Sequence, residues 1–133
     1  MMHISTKGRY ALTIMVSLAK SYPKDQFITL NEIATNNHLS LKYLERIMGT
    51  LKKADYFESS RGVLGGYKLK YEPSHYKIGN IIRLAEGDIE ITDCVKSDFL
   101  CPAKKKCKTY LFWYDLNNII NDYLDSKTLN DLL

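Results

Sequence analysis

No stretch of this 133-residue sequence approaches the roughly 20 consecutive apolar residues that span a bilayer. Residues 1–20 lack the continuous apolar core and small-residue cleavage site of a signal peptide. The expectation is a cytoplasmic protein with no membrane partner. The phosphate-binding loop and dinucleotide glycine patterns are absent too, and so is any Cys-x-x-Cys pair. His3, His38 and His75 are scattered, without a Ser, Cys or carboxylate at catalytic spacing. These absences argue against a nucleotide-dependent enzyme, a triad hydrolase and a dithiol oxidoreductase; no catalytic residue is expected. There is no internal repeat and no low-complexity tract.

What is present is a globular mixture, 45% apolar and 26% charged, enough for one ordinary domain or a small domain with an appendage. The net charge of +4 hides an asymmetry. Residues 1–70 hold eleven Lys and Arg against five Asp and Glu, a surplus of six; residues 71–133 hold eight against ten. A basic half joined to a mildly acidic half suits a polyanion bound through one end of the molecule.

Along the chain, Ser5 and Thr6 precede a helical recurrence of Tyr10, Ala11, Ile14, Leu18 and Ala19 that stops near Pro23. Thr29 and Glu32 have capping-box spacing before a short helix over 30–36. Asn36, Asn37 and His38 read as a turn, and Ser40 as the cap of a helix with Leu44, Ile47, Met48 and Leu51 on one face. A short helix, a tight turn and a second helix make a helix-turn-helix pattern. Strand-like residues 56–61 and 67–70 flank a glycine-rich tip, Gly62 to Gly66, whose glycines permit close approach to a phosphate while Arg61, Lys68 and Lys70 supply charge. Helices over 77–86 and 110–124 follow. The latter carries Phe112, Trp113, Leu116, Ile119, Ile120, Tyr123 and Leu124, more apolar surface than a small winged domain needs, and Trp113, Leu116 and Ile120 are expected to be buried against the same helix of a second copy.

Cys94, Cys101 and Cys107 fall within fourteen residues, with Lys96, Lys104, Lys105, Lys106 and Lys108 around them. Neighbouring ammonium groups favour thiolate over thiol, so a metal or redox role suits them better than disulfide stapling. A metal cluster, a zinc site, a metal-free thiol switch and inert cysteines all remain open on spacing alone.

Ile4-Ser5-Thr6-Lys7-Gly8-Arg9-Tyr10-Ala11-Leu12, Ser40-Leu41-Lys42-Tyr43-Leu44-Glu45, Ser60-Arg61-Gly62 with Gly65-Gly66-Tyr67, and Ile78-Gly79-Asn80-Ile81-Ile82 occur in this order. Together they resemble a family of bacterial winged helix-turn-helix regulators that includes the iron–sulfur cluster regulator, the nitric-oxide-sensing repressor and the cysteine metabolism repressor. The resemblance covers nearly the whole chain. It implies a homodimeric transcriptional regulator, in most cases a repressor, bound to palindromic double-stranded promoter DNA. The implied fold is mainly α with a small β-hairpin wing: a winged helix-turn-helix domain over 1–87, a cysteine sensor loop over 88–109, and a dimerisation helix and tail over 110–133.

By the same resemblance Ser40, Lys42, Tyr43 and Arg46 on the third helix, and Arg61, Gly65 and Gly66 in the wing, are the candidate DNA-binding residues. In cluster-binding members three cysteines of similar spacing hold a two-iron, two-sulfur cluster, which places Cys94, Cys101 and Cys107 as candidate ligands sensing iron–sulfur, nitric oxide or redox status. The known fourth ligands do not transfer: Tyr110 stands where one relative has a histidine, and Arg9 where another has an aspartate. The alternative is a metal-free regulator of the same fold, controlled by a protein partner or small molecule, for example in cysteine or sulfur metabolism.

Overall fold

Alternating polar caps and apolar stripes build most of the structure, a computed structural model that describes residues 3–62, 65–96 and 98–133. Helix α1 (Thr6–Ser21) starts where the Ser5 hydroxyl accepts the Lys7 N–H at 3.2 Å, and it buries Ala11, Ile14, Met15, Leu18 and Ala19. Helix α2 (Leu30–Asn37) starts at Thr29, whose hydroxyl accepts the Glu32 N–H at 3.1 Å. It ends as His38 takes a left-handed φ of 55° and donates its N–H back to Ala34 and Thr35, which turns the chain out of the helix. Helix α3 (Leu41–Leu51) follows at once, capped by Ser40 and burying Leu44, Ile47, Met48 and Leu51.

Strands β1 (Phe57–Ser60) and β2 (Gly66–Leu69) pair antiparallel, Phe57 opposite Leu69 and Ser60 opposite Gly66. Val63 and Leu64, which the sequence places in the glycine-rich tip, lie outside the described residues. Tyr67 exchanges two 2.8 Å backbone hydrogen bonds with Ile28, strapping the hairpin to the segment before α2. Gly66 makes that strap possible: its φ is +128°, and a Cβ there would stand 2.4 Å from the Ile28 carbonyl oxygen. At the wing root Tyr76 is buried, donates its hydroxyl to the Tyr56 carbonyl at 2.8 Å and accepts the Tyr71 N–H at 3.1 Å. Burial pushes its phenol up to about 12.

Helix α4 (Ile78–Glu86) inserts Ile78, Ile81 and Ile82 into the core around α1 and ends at Gly87, φ +90°. Two short turns, Asp93–Val95 and Lys104–Lys106, punctuate the cysteine segment before α5 (Tyr110–Ser126). Helix α5 is tied to α4 by polar groups. Arg83 donates to both carboxylate oxygens of Asp125, at 2.7 and 3.2 Å, and to Asn121 at 2.7 Å, across the gap left at Gly79, where a Cβ would meet Asp125 at 2.2 Å. Asn121 and Asn117 also hold the backbone of Ile89 and Ile91. The chain then folds back: Ile78 donates its N–H to Lys127 and Leu129 to Tyr76, and Leu129 is fully buried in the same core as α1.

No residue of α5 is fully buried. Ile120 and Leu124 pack against the protein's own core, whereas Leu111, Phe112, Tyr114, Ile119 and Tyr123 face outward, Ile119 with 64% of its surface exposed. Of the Trp113, Leu116 and Ile120 set expected from sequence, Ile120 therefore faces the protein's own core, while Trp113 and Leu116 are half-buried and outside it. The cause is the Arg83 tie, which turns Asn121 and Asp125 toward α4 and carries Ile120 and Leu124 inward with them. Among the described residues no helix is long and apolar enough to cross a membrane.

Candidate nucleic-acid interface

The cap at Ser40 decides what α3 presents. Four apolar side chains face inward, so Ser40, Lys42 and Arg46 are left exposed and Tyr43 half-exposed; these four share one shallow cleft. Tyr43 is held in place by an edge-to-face contact with Tyr10 of α1 at 5.4 Å. Arg61 lies apart from them. It belongs to a larger cleft between α3 and the wing, shared with Asn31, Leu41, Glu45, Lys52 and Ser60. Two positions that the sequence reading passed over thus join the candidate surface, Lys52 with its ammonium 5.4 Å over the Tyr67 ring and Asn31 in the first turn of α2. A helical wheel shows both as exposed, but only the docked wing brings them beside Arg61.

The wing carries less free charge than its sequence suggests. Lys68 pairs with Asp25 at 2.7 Å and Glu58 at 3.4 Å, and lies 4.8 Å from the Phe27 ring centre. Lys70 pairs with Asp55. Hydrogen bonding to Asp25 holds the Lys68 ammonium above its ordinary pKa, and Asp55 does the same for Lys70. Among the described residues Lys42, Arg46 and Arg61 are in no ion pair. The wing glycines also answer to a constraint within the fold. Gly65 is buried, a Cβ on it would stand 2.3 Å from the Ser60 carbonyl oxygen, and Gly66 is crowded by Ile28, so both lie on the cleft wall while their missing side chains make room for the chain's own backbone.

The cysteine loop was expected to draw thiolate character from its lysines. Cys94 and Cys101 are half-buried and Cys107 exposed, all three as free thiols. Cys94 lies 2.9 Å from the Thr92 hydroxyl. The Cys107 thiol is held below its ordinary pKa by the Thr109 hydroxyl and by the backbone N–H groups of Thr109 and Tyr110 at the start of α5. Two of the loop's lysines have other partners: Lys96 pairs with Asp93 at 2.8 Å, and the Lys104 ammonium lies 4.7 Å over the Tyr110 ring. Tyr110 is further engaged with Tyr114. Among the described residues no group of three or more His, Cys, Asp or Glu is gathered as a metal site. The donor set does not fit a cluster in this arrangement. The histidines are equally apart: His3 exposed, His38 in the α2–α3 turn, His75 stacked on Tyr71 at 4.3 Å.

A family model described as Rrf2, iron-dependent transcriptional regulator, matches residues 4–133. The chain is 40% identical over 131 residues to the HTH-type transcriptional regulator CymR of Bacillus subtilis, covering 98% of this chain and 89% of that one. It is 34% identical over 133 residues to the regulator IscR of Vibrio campbellii, covering 99% and 77% respectively. The solved structure of CymR, named as the global cysteine regulator of B. subtilis, is similar with a TM-score of 0.81 at 42% identity, covering 99% of this chain and 96% of that one.

Proposed function

This chain belongs to the Rrf2 family of DNA-binding transcriptional regulators and is not an enzyme, and from that premise we propose a homodimeric repressor whose signal comes from a protein partner or small molecule of cysteine or sulfur metabolism. The observation that carries the choice of signal is the separation of Cys94, Cys101 and Cys107, which form no metal-binding group among the described residues. Likeness to a regulator named for cysteine control supports the same reading.

On this reading α3 enters the major groove N-terminal end first, which brings Ser40, Lys42 and Tyr43 to base edges, while Arg61 in the wing meets the adjacent minor groove or its phosphates. The exposed stripe of α5 pairs with its symmetry mate and sets the two reading heads about one helical turn of DNA apart, which matches a palindromic site.

A cluster-based sensor is the second reading, supported by the family's iron-dependent description and by the cysteine triplet. Anaerobic purification followed by a visible spectrum, iron, sulfide and zinc assays, and titration of palindromic promoter DNA separates the two. The expected protein is colourless, holds far less than one iron per chain and binds DNA as isolated. Stoichiometric iron and sulfide, lost on changing any one of the three cysteines to Ala, establishes the second reading instead. A dimer that binds no duplex in either state sinks the DNA-binding mode set out above.

A further inference from the structure

The wall made by Tyr43 and Arg46 has another side. Between the first turn of α1, the flank of α3 and the end of α4 lies a cavity of about 150 Å³ lined by Lys7, Tyr43, Arg46, Ile47, Thr50 and Ala85. It shares Tyr43 and Arg46 with the shallow cleft of Ser40 and Lys42. Lys7 and Arg46 are both exposed, and among the described residues neither is in an ion pair. The backbone donors of this turn are already taken: the Lys7 N–H by the Ser5 hydroxyl, the Gly8 N–H by Glu86, the Arg9 N–H by the Ser5 carbonyl. The Glu86 carboxylate is engaged with Ser5 and Gly8. What the cavity offers is therefore two cationic side chains, brought together from positions far apart in the sequence.

Their place relative to the wing gives the cavity a meaning. Arg61 shares its cleft with Leu41, Glu45 and Lys52, on one flank of α3. Lys7 shares its cavity with Arg46, Ile47 and Thr50, on the other. A recognition helix, about 10–12 Å across, fills a major groove about 12 Å wide, so each flank faces one of the two bordering phosphate backbones. One flank of α3 has the wing for that backbone, and the opposite flank has Lys7.

We infer that Lys7 and Arg46 clamp a DNA backbone phosphate on the side of α3 away from the wing. The inference rests on the DNA-binding mode proposed above and adds a phosphate contact from α1. Arg46 offers a planar fork suited to two phosphate oxygens, and Lys7 a compact charge beside it. It makes Arg46 a residue that positions α3 and not one that reads a base.

Fluorescence anisotropy with labelled promoter duplex and a scrambled duplex, at a series of salt concentrations, tests the clamp in the full chain. K7Q and R46Q each lower the salt slope by about one unit per protomer bound, and each weakens binding by the same factor on both duplexes. K7R restores the wild-type slope, and K7Q stays folded, with only a small drop in unfolding temperature from losing the Lys7 charge near Glu86. If K7Q keeps wild-type affinity and slope while R61A loses both, the clamp is wrong and the wing mechanism survives. The clamp is equally wrong if orthophosphate at matched ionic strength raises the Tm of wild type but not of K7Q and DNA affinity is unchanged, since the cavity then serves a free anion. A change in the promoter-to-scrambled ratio in R46Q also overturns it, because Arg46 then reads sequence. If wild type binds neither duplex, the underlying DNA-binding mode fails and the clamp with it.

Discussion

Gly8 donates its backbone N–H to the Glu86 carboxylate at 2.8 Å, joining the first turn of α1 to the last turn of α4 across 78 positions of sequence. A side chain on Gly8 would bring its Cβ to 2.9 Å from the same oxygen. The contact stands directly before Gly87, which ends α4, and beside Lys7. Burial by itself would raise the Glu86 carboxyl, but the Ser5 hydroxyl and the backbone N–H groups of Gly8 and Ser5 outweigh it and hold the group below the ordinary glutamate value.

That depression fixes the sign of a pH effect. A lowered folded-state pKa stabilises the protein above the unfolded value, about 4.3, and the stabilisation is lost as pH falls through the folded value. E86Q is expected to be less stable than wild type by about 1 kcal/mol at pH 7. Thermal unfolding should show the gap closing below about pH 4. A gap of constant size from pH 7 to pH 3.5 would mean that the ionised carboxylate is not what stabilises this contact.

The wing cations divide into paired and unpaired. R61A should weaken promoter binding and reduce the salt slope by about one unit per protomer bound. K68A and K70A should leave the slope near wild type, because Asp25, Glu58 and Asp55 already hold those ammonium groups. Equal slope losses in all three variants would show that DNA draws the lysines out of their ion pairs.

Assembly should distinguish two neighbouring isoleucines. Ile119 faces outward with Phe112 and Tyr123, so I119D should give a folded monomer by light scattering, with loss of about 1.5–3 kcal/mol for each large side chain no longer buried at the contact. Ile120 packs inward, so I120D should lower Tm or fail to fold before it changes the oligomeric state. An I119D protein that stays dimeric at submicromolar concentration would place the interface on another face.

Cys107 should be the fastest of the three thiols to alkylate with iodoacetamide at pH 7.5, followed by mass spectrometry of the separated peptides. Its exposure and its hydrogen bonds from Thr109 and Tyr110 both favour reactive thiolate. T109V should slow that reaction below pH 8.5, where the ordinary thiol is mostly protonated, and have little effect at pH 10. Equal rates in T109V and wild type at pH 7.5 would mean that Thr109 does not set the thiol's reactivity.

The helices, their caps and the hairpin were legible in the sequence because they depend on residues close by in the chain. Ser5, Thr29 and Ser40 each accept an N–H two or three positions ahead, and the spacing of Leu44, Ile47, Met48 and Leu51 follows from 3.6 residues per turn. Such signals also exposed Ser40, Lys42, Tyr43 and Arg46 as the outer face of α3. Which charges stay free was not legible there. Lys68 finds Asp25 43 positions away, a pairing that exists only once the hairpin docks on the Ile28 segment.

Tertiary structure likewise decided between Ile119 and Ile120, equal in hydropathy, by turning Asn121 and Asp125 toward Arg83. It set Gly65 and Gly66 against the chain's own carbonyls, and it kept three cysteines that are near in sequence from meeting as one donor group. Local hydrogen bonds and side-chain periodicity are properties of a short segment and can be read from it. The partner a side chain meets across the fold depends on how whole elements pack, and no short segment contains that information.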